Sequence, residues 1–314
     1  MKRVAAVSNK KLLFIFLLFS AGWSVCVNAQ DLEPRRWSHL PVGLNIVGLG
    51  YGFTDAYVYF HPVFKITDAQ ARINALGFSA VRTFDLAGKS ARFSLMVPYV
   101  SGRWQGFLDD EFRTVHRRGA GDPRLRLSVN LYGAPALRGQ EFLQYRADHV
   151  NNTVVGASLA VTLPLGQYFD DLLINIGNNR WSVRPQLGVV HSRGPWSFEL
   201  TGSMFWFSNN NRFVDGAMLE QKTLYALQSH VIYNFNPGLW ASISSAYGMG
   251  GRISIDGNKT SFEVDNWLWA ASLGMSLGKT QSLKLSWLSG RTQNDVGRDS
   301  DNLLLSWSIR WANP

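Results

Sequence analysis

The feature that most constrains this chain is a repeated alternation of apolar and polar residues. Between Asp122 and Trp311, segments of roughly ten alternating residues are separated by breaks that are in turn tight and long. In the segment from Asp122 to Tyr132, four apolar residues share one parity and four polar residues the other: Leu125, Leu127, Val129 and Leu131, against Arg124, Arg126, Ser128 and Asn130. Successive strand residues point to opposite faces, so each strand has one apolar and one polar face. This pattern is typical of outer-membrane β-barrels, whose outside meets lipid and whose inside is polar.

The N-terminus has the layout of a secretory signal peptide. Four basic residues precede an apolar run from Leu12 to Phe19, and Val27-Asn28-Ala29 places small or apolar residues where a signal peptidase cuts. We predict cleavage after Ala29, because the competing signal-anchor helix needs an apolar span of about 20 residues. Cys26, the chain's single cysteine, precedes that site, so the predicted mature chain has no thiol for a disulfide, a metal site or a nucleophile.

The charge balance does not indicate nucleic-acid binding. The net charge is +9 and the pI is about 9.8, but four basic residues lie in the leader and the others are scattered singly along alternating segments. A nucleic-acid site needs a basic stripe or arm. The 12 tryptophans and 10 tyrosines are more informative, since such rings settle at membrane interfaces.

We predict an all-β, antiparallel, up-and-down transmembrane barrel of about twelve strands, with ten or fourteen as alternatives. The predicted strands are Val42 to Phe53, Ala71 to Leu86, Ala91 to Tyr99, Pro123 to Tyr132, Val154 to Leu165, Trp181 to His191, Trp196 to Phe207, Tyr225 to Phe235, Leu239 to Tyr247, Trp267 to Leu277, Leu283 to Gly290 and Leu303 to Trp311. The domain plan is a signal peptide (1–29), an N-terminal periplasmic tail or plug (30–40), the barrel (41–311) and a C-terminal tail (312–314).

Two segments do not fit a plain barrel. The connection Gly133 to Thr153 is long where a tight periplasmic turn is expected, and its apolar spacing predicts a short helix at the rim or in the lumen. A structured turn that closes the rim is the alternative. The piece Gln30 to Leu40, with Pro34-Arg35-Arg36-Trp37, is either a plug that enters the lumen or a frayed tail.

Side-chain parity assigns a set of polar residues to the interior. The predicted lining consists of Arg92, Arg124, Arg126, Asn130, Arg184, Gln186, Glu199, Gln228, His230, Asn234, Lys284 and Arg310. The interior is therefore expected to be wet and basic. These charges either favour anionic solutes, as rings of Arg and Lys do in pores, or satisfy one another inside a small barrel. Twelve strands lie between side-chain-filled barrels of eight and open porins of sixteen, so we expect a narrow or plugged pathway.

Several ordered stretches resemble one family. NLYGAPALRGQEF (Asn130 to Phe142), LPLGQYF (Leu163 to Phe169), NRWSVRPQLG (Asn179 to Gly188), LQSHVIYNF (Leu227 to Phe235) and SLKLSWLSG (Ser282 to Gly290) are similar to outer-membrane proteins of the MetA-pathway of phenol degradation family. The likeness spans about Leu40 to Trp311. It implies a transporter that admits small organic, aromatic or hydrophobic molecules passively across the bacterial outer membrane.

Other functional classes have weaker support. No serine and histidine at two-residue spacing stand out as a catalytic pair in the mature chain, so we expect no enzyme and no cofactor. The acidic groups Asp109-Asp110-Glu111 and Asp295, Asp299, Asp301 have the side chains of a divalent-cation site, but solvated loop acids are the favoured explanation, and no metal is predicted. A structural barrel without transport and a lipid-modifying enzyme remain as alternatives. Expected partners are outer-membrane lipid and lipopolysaccharide, the barrel assembly machinery and a small-molecule solute; Arg113, His116, Arg117 and Arg118 are candidates to meet lipopolysaccharide phosphates.

Overall fold

The computed structural model describes residues 32–59, 66–259, 263–295 and 297–312. The predicted signal peptide, its cleavage after Ala29 and Cys26 lie outside these residues, as do Asn313 and Pro314 of the predicted C-terminal tail. No helix in these ranges is long and apolar enough to cross a membrane.

The described chain is built almost entirely from strands. Their bounds are β1 (Leu44–Tyr59), β2 (Ile66–Leu86), β3 (Lys89–Leu108), β4 (Glu111–Ala120), β5 (Arg124–Tyr132), β6 (Asn152–Thr162), β7 (Ser182–Arg193), β8 (Trp196–Phe207), β9 (Asn210–Phe213), β10 (Ala217–Gln221), β11 (Leu224–Asn236), β12 (Leu239–Gly250), β13 (Ile253–Ile255), β14 (Asn258–Lys259), β15 (Val264–Leu277), β16 (Gln281–Thr292) and β17 (Gly297–Ala312). A helix, α1 (Gly139–Asp148), lies between β5 and β6.

Twelve antiparallel barrel strands close on themselves, which confirms the predicted fold class and strand number against ten or fourteen. β4 and β5 together act as one barrel strand, since both pair with β3: β4 with its second half and β5 with its first. The ring closes between the first and last strands, where β1 pairs with β17 from Leu44 opposite Ala312 to Tyr59 opposite Gly297.

One end of the barrel carries tight turns. They join β2 to β3, β7 to β8, β11 to β12 and β15 to β16. Gly88 and Gly238 adopt φ values of +76° and +110°, a backbone region that a side chain disfavours, so the reversals need glycine there. Outer-membrane barrels place short turns on the periplasmic side, and this end is therefore the periplasmic one. It also holds α1, at the position where the spacing predicted a short helix.

The opposite, extracellular end extends further than the sequence predicted. The stretches Thr54 to Gln70 and Val100 to Gly121 lie between the strands predicted from the sequence, yet β1, β2, β3 and β4 continue through most of them. A second small sheet of β9, β10, β13 and β14 forms from two further extracellular connections. Its apolar side chains pack together: Phe213, Val214, Ala217, Leu219, Ile253 and Ile255.

The outer wall is apolar across the middle of the barrel. Leu127 on β5 is 41% exposed and Leu187 on β7 is 64% exposed, although both sit in mid-strand. Aromatic residues flank this band on the same face, among them Tyr99, Trp181, Trp206, Trp269 and Trp307. A water-exposed apolar surface of this extent is unfavourable, whereas an apolar band with aromatic girdles suits a bilayer. The barrel thus has the surface of a membrane-spanning protein.

Candidate functional site

Buried apolar side chains pack together in the extracellular half of the lumen, and we call this region the apolar chamber. Its buried side chains are Ala56, Val58, Ile66, Ala69, Ala71, Ile73, Val100, Trp104, Ile174 and Ile176. Most come from the inner faces of β1, β2 and β3, where Arg72 and Asn74 point outward and Ile73 points inward. Above the membrane band the outside of the wall meets water, so the sense of the alternation inverts. The expectation of a wet interior therefore fails in this half.

Ile174 and Ile176 reach the chamber from the connection between β6 and β7, which folds inward. Asp122, in the break between β4 and β5, holds its two ends together. The Asp122 carboxylate accepts hydrogen bonds from the backbone N–H groups of Gly166 and Asn178, each at 2.8 Å, and from the Asn178 amide at 2.8 Å. Charge-assisted bonds of this kind are stronger than neutral ones, so the inward fold is firmly anchored.

Two arginines hold the same connection in place, one from β4 and one near the end of the connection itself. Arg117 of β4 donates from Nε to the Ile174 carbonyl at 3.1 Å. Arg180 donates to the Gln221 side chain at 2.6 Å and stacks over the Phe207 ring at 4.7 Å. Burial lowers the pKa of Arg180, while the nearby Asp122 carboxylate opposes that shift. The connection between β6 and β7 is thus held in place by side-chain contacts where it meets the chamber.

Below the chamber, the segment from Leu32 to Gly43 lies inside the barrel. Trp37 is completely buried, and its indole N–H donates to Thr201 Oγ1 on β8 at 2.8 Å. Its ring occupies a notch formed by Gly156 and Gly188, which are direct partners across β6 and β7. A Cβ at either glycine would overlap the indole ring, so the notch requires glycine.

The same segment carries a carboxylate into a group of arginines. Glu33 pairs with Arg126 at 2.8 Å and with Arg124 at 3.7 Å, and it also contacts Arg36. Leu32 crosses to the opposite wall, where it packs with apolar residues of β12, β15 and β16: Ala246, Leu268, Ala270 and Leu288. The segment therefore bridges the lumen from one wall to the other.

A second carboxylate, Glu199 on β8, lies under the segment. It accepts a hydrogen bond from the Arg36 backbone N–H at 3.2 Å. His230 is its direct neighbour across β8 and β11, and the His230 ring contacts Ser244 Oγ at 2.8 Å. Glu199 and His230 are only 3% and 2% exposed. This polar row is covered by the N-terminal segment.

At the periplasmic rim, His39 joins the segment to α1. The His39 ring contacts the Pro135 carbonyl at 2.8 Å and packs edge-on against Phe142 and Tyr145, with centroids 4.9 and 5.4 Å away. Burial lowers the pKa of His39; the hydrogen bond to Pro135 opposes the shift, and the charge of Arg146 adds to it. The long periplasmic connection thus serves as a support for the segment.

The predicted lining residues occupy several environments. Seven are buried: Arg126, Asn130, Arg184, Gln186, Glu199, Gln228 and His230. Three are partly exposed, Arg92, Arg124 and Lys284. Asn234 and Arg310 lie at periplasmic turns, where their side chains donate to the carbonyls of Pro195 and Lys279.

Sequence reasoning missed four of the residues that organise this interior: Trp104, Asp122, Gly156 and Gly188. Glycines at directly opposed positions of neighbouring strands were a signal that strand pairing alone could reveal. Within the described ranges, no group of three or more His, Cys, Asp or Glu side chains is arranged to hold a metal ion.

Comparisons with known proteins agree with this architecture. A family model described as "Putative MetA-pathway of phenol degradation" matches residues 62–298. The fold is similar to that of the COG4313 outer membrane channel from Pseudomonas putida F1, with a TM-score of 0.74, 22% identity and coverage of 90% of this chain and 100% of that one. The transport unit of the autotransporter AIDA-I from Escherichia coli aligns with a TM-score of 0.53 at 7% identity, covering 95% of this chain and 97% of that one. No curated protein matches.

Proposed function

Because this chain belongs to the MetA-pathway of phenol degradation family, we propose that it is a passive outer-membrane channel for small organic molecules of aromatic or hydrophobic character. Its proposed partners are outer-membrane lipid and lipopolysaccharide, the barrel assembly machinery and the solute itself. The proposed role is transport rather than catalysis. The observation that carries the proposal is the apolar chamber, because apolar walls favour the binding of apolar solutes over water-soluble ones.

The side chains of the chamber give an apolar solute a favourable surface to bind. Trp104, Ile73, Ile174 and Ile176 meet where an entering molecule leaves the extracellular side. A ring that buries roughly 150 Å² at about 25 cal/mol per Å² gains about 4 kcal/mol from burial, and part of this gain offsets the cost of immobilising the solute, so net binding is weak. Binding of this strength concentrates a dilute apolar solute and still releases it quickly.

Below the chamber, the N-terminal segment is proposed as the plug. It joins the walls through an indole, a carboxylate and a leucine on three sides of the lumen. Passage then requires that the segment shift or leave. The polar row of Glu199 and His230 lies beneath it and is the next surface that a solute would meet.

The test is solute entry into vesicles that carry lipopolysaccharide in their outer leaflet, which slows unassisted entry of apolar solutes. With the purified protein inserted, labelled toluene should enter faster than in empty vesicles, and labelled arabinose should not. Ile174→Asp places a charge in the chamber wall and should reduce toluene entry at least tenfold. Leu143→Asp makes the same change at an exposed position of α1 and should leave entry unchanged.

Two results would contradict the proposal. Toluene entry that does not depend on the protein would remove the transport role and favour a structural barrel. Equal entry through Ile174→Asp and the original protein would show that the chamber is not on the path. Heat-modifiable migration of both variants controls for folding.

A further inference from the structure

The outer face of β2, β3 and β4 carries a basic patch just above the membrane band. Arg72, Arg103 and His116 are direct neighbours across these three strands, and Arg118 lies two residues further down β4, opposite Ser101. All four side chains are exposed. We refer to Arg72, Arg103, His116 and Arg118 as the outer basic patch.

The direction of these side chains follows from strand parity. Val100 and Trp104 on β3 and Ile73 on β2 are buried in the chamber. Arg103 and Arg72 sit at neighbouring positions of the opposite parity, so they point outward. Arg117 has the inward parity of β4 and donates to the Ile174 carbonyl, which separates it from His116 and Arg118. The structure thus divides the four basic residues of β4 that the sequence had grouped together.

The height of the patch matches a lipid headgroup region. Tyr99 and Leu76 are neighbours across β2 and β3, and both are exposed on the outer face at the top of the apolar band. Ser101, the partner of Arg118, lies two residues beyond Tyr99, which is about 7 Å along a strand. Arg103 lies two residues further. The patch therefore begins where hydrocarbon gives way to polar headgroups.

The charges of the patch are mostly uncompensated by protein. Within the described ranges, neither Arg103 nor Arg118 forms an ion pair, and Arg72 shares the exposed Asp55 at 3.3 Å. Other extracellular arginines do form ion pairs with nearby carboxylates. Arg113 pairs with Glu111, and Arg291 pairs with Asp301 at 2.8 Å. Like charges at opposed positions of neighbouring strands repel, so a bound anion would stabilise this arrangement.

We propose that the outer basic patch binds the phosphorylated headgroup of lipopolysaccharide in the outer leaflet. Guanidinium groups bind phosphate by paired, charge-assisted hydrogen bonds, and three neighbouring strands present them in a row. The acyl chains would run down the wall past Tyr99 and Leu76. The proposal depends on membrane insertion of the barrel and is independent of what the lumen transports.

The test measures binding of lipid A to the purified barrel in detergent by native mass spectrometry. The double variant Arg103→Ala, Arg118→Ala should bind bisphosphorylated lipid A at least tenfold more weakly, a change of about 1.4 kcal/mol. Arg113→Ala, on the same hairpin, should bind it like the original protein. Dephosphorylated lipid A should bind weakly and equally to all three, and all should migrate as folded barrels before heating.

Each contrary result overturns the proposal. Unchanged affinity of the double variant would show that the patch is not the site. Equal binding of phosphorylated and dephosphorylated lipid A would show that acyl chains alone are recognised. Displacement of lipid A by inorganic phosphate at equal concentration would indicate a free-anion site rather than a lipid site.

Discussion

The indole N–H of Trp37 donates to Thr201 Oγ1 at 2.8 Å, which ties the N-terminal segment to a wall strand 164 residues later in the chain. Thr201 is the direct neighbour of Gly188, and Gly188 is the direct neighbour of Gly156. Two glycines and one hydroxyl in a row across three strands thus form a socket for one indole. The socket gives the position of the segment a specific chemical basis, which substitutions can change one group at a time.

Replacing Thr201 by Val keeps the shape of the socket and removes the acceptor. The buried indole N–H then has no partner, which costs about 1 to 3 kcal/mol, and the undocked fraction of the segment should rise roughly five- to a hundredfold. A Ser38→Cys reporter in the mature chain reads this as faster labelling by a membrane-impermeant maleimide. Trp206→Phe, on the outer face of the same strand, is the control. An unchanged labelling rate in Thr201→Val would show that the bond does not hold the segment.

Replacing Gly188 by Ala fills the socket directly. The added Cβ overlaps the Trp37 ring, so the segment should be displaced while the barrel itself still folds. The Ser38→Cys reporter should again label faster. Gly202→Ala is the matched control, because Gly202 has no atom within 4 Å of an added Cβ. Similar labelling in both alanine variants would contradict the socket.

Charge on the outer wall should block assembly, and loss of charge from the inner wall should not. Leu127→Arg and Leu187→Arg each place a charge in the apolar band, at a cost of roughly 2 to 4 kcal/mol near the bilayer midplane. Arg184→Ala and Lys284→Ala should give folded, heat-modifiable barrels with altered solute preference. Equal loss of folded protein in the two groups would refute the assignment of faces.

Asp122 should control the inward fold of the connection between β6 and β7. Asp122→Ala removes an acceptor of three hydrogen bonds, each worth about 1.5 to 3 kcal/mol when the acceptor is charged. Hydrogen exchange across 166–178 should speed up at least tenfold. Asp170→Asn changes an exposed acid of the same connection and should have little effect. Retained protection in Asp122→Ala would place the anchor elsewhere.

Docking of the segment should weaken in acid. The folded-state pKa of His39 lies below its ordinary value of 6.5 because of burial, so the undocked state binds a proton more readily. The contribution of His39 is therefore complete above pH 6.5 and declines as pH falls below it. Relative to an exposed cysteine at the same pH, Ser38→Cys labelling should rise from pH 7.5 to 5, and His39→Gln should abolish most of the rise. A pH response that survives His39→Gln would assign it to another group.

Much of the fold was predictable because lipid imposes a simple rule on strand residues. In β5, Leu127 and Leu131 are exposed on the outer wall, whereas Arg126 and Asn130 are buried. The rule applies only within the bilayer. Above it, water lies outside the wall and the chamber lies inside, so the pattern inverts: Ile73 is buried and its neighbours Arg72 and Asn74 are exposed.

The interior was harder to predict because its contacts join distant parts of the chain. Trp37 and Glu33 belong to a segment that the sequence left open between a tail and a plug. Their partners Thr201 and Arg126 are recognisable only when the strands have been placed in register. Asp122 likewise gains its role from Gly166 and Asn178, which approach it through folding rather than through sequence proximity.

The position of Leu32 to Gly43 has a consequence for the order of biogenesis. This stretch leaves the ribosome before any strand, yet the surfaces that receive it belong to β5, β8 and β15, which are made much later. It is also directly followed in the chain by β1, which closes the barrel by pairing with the last strand, β17. The segment is therefore made before the strands that hold it, and it can dock only after those strands have formed.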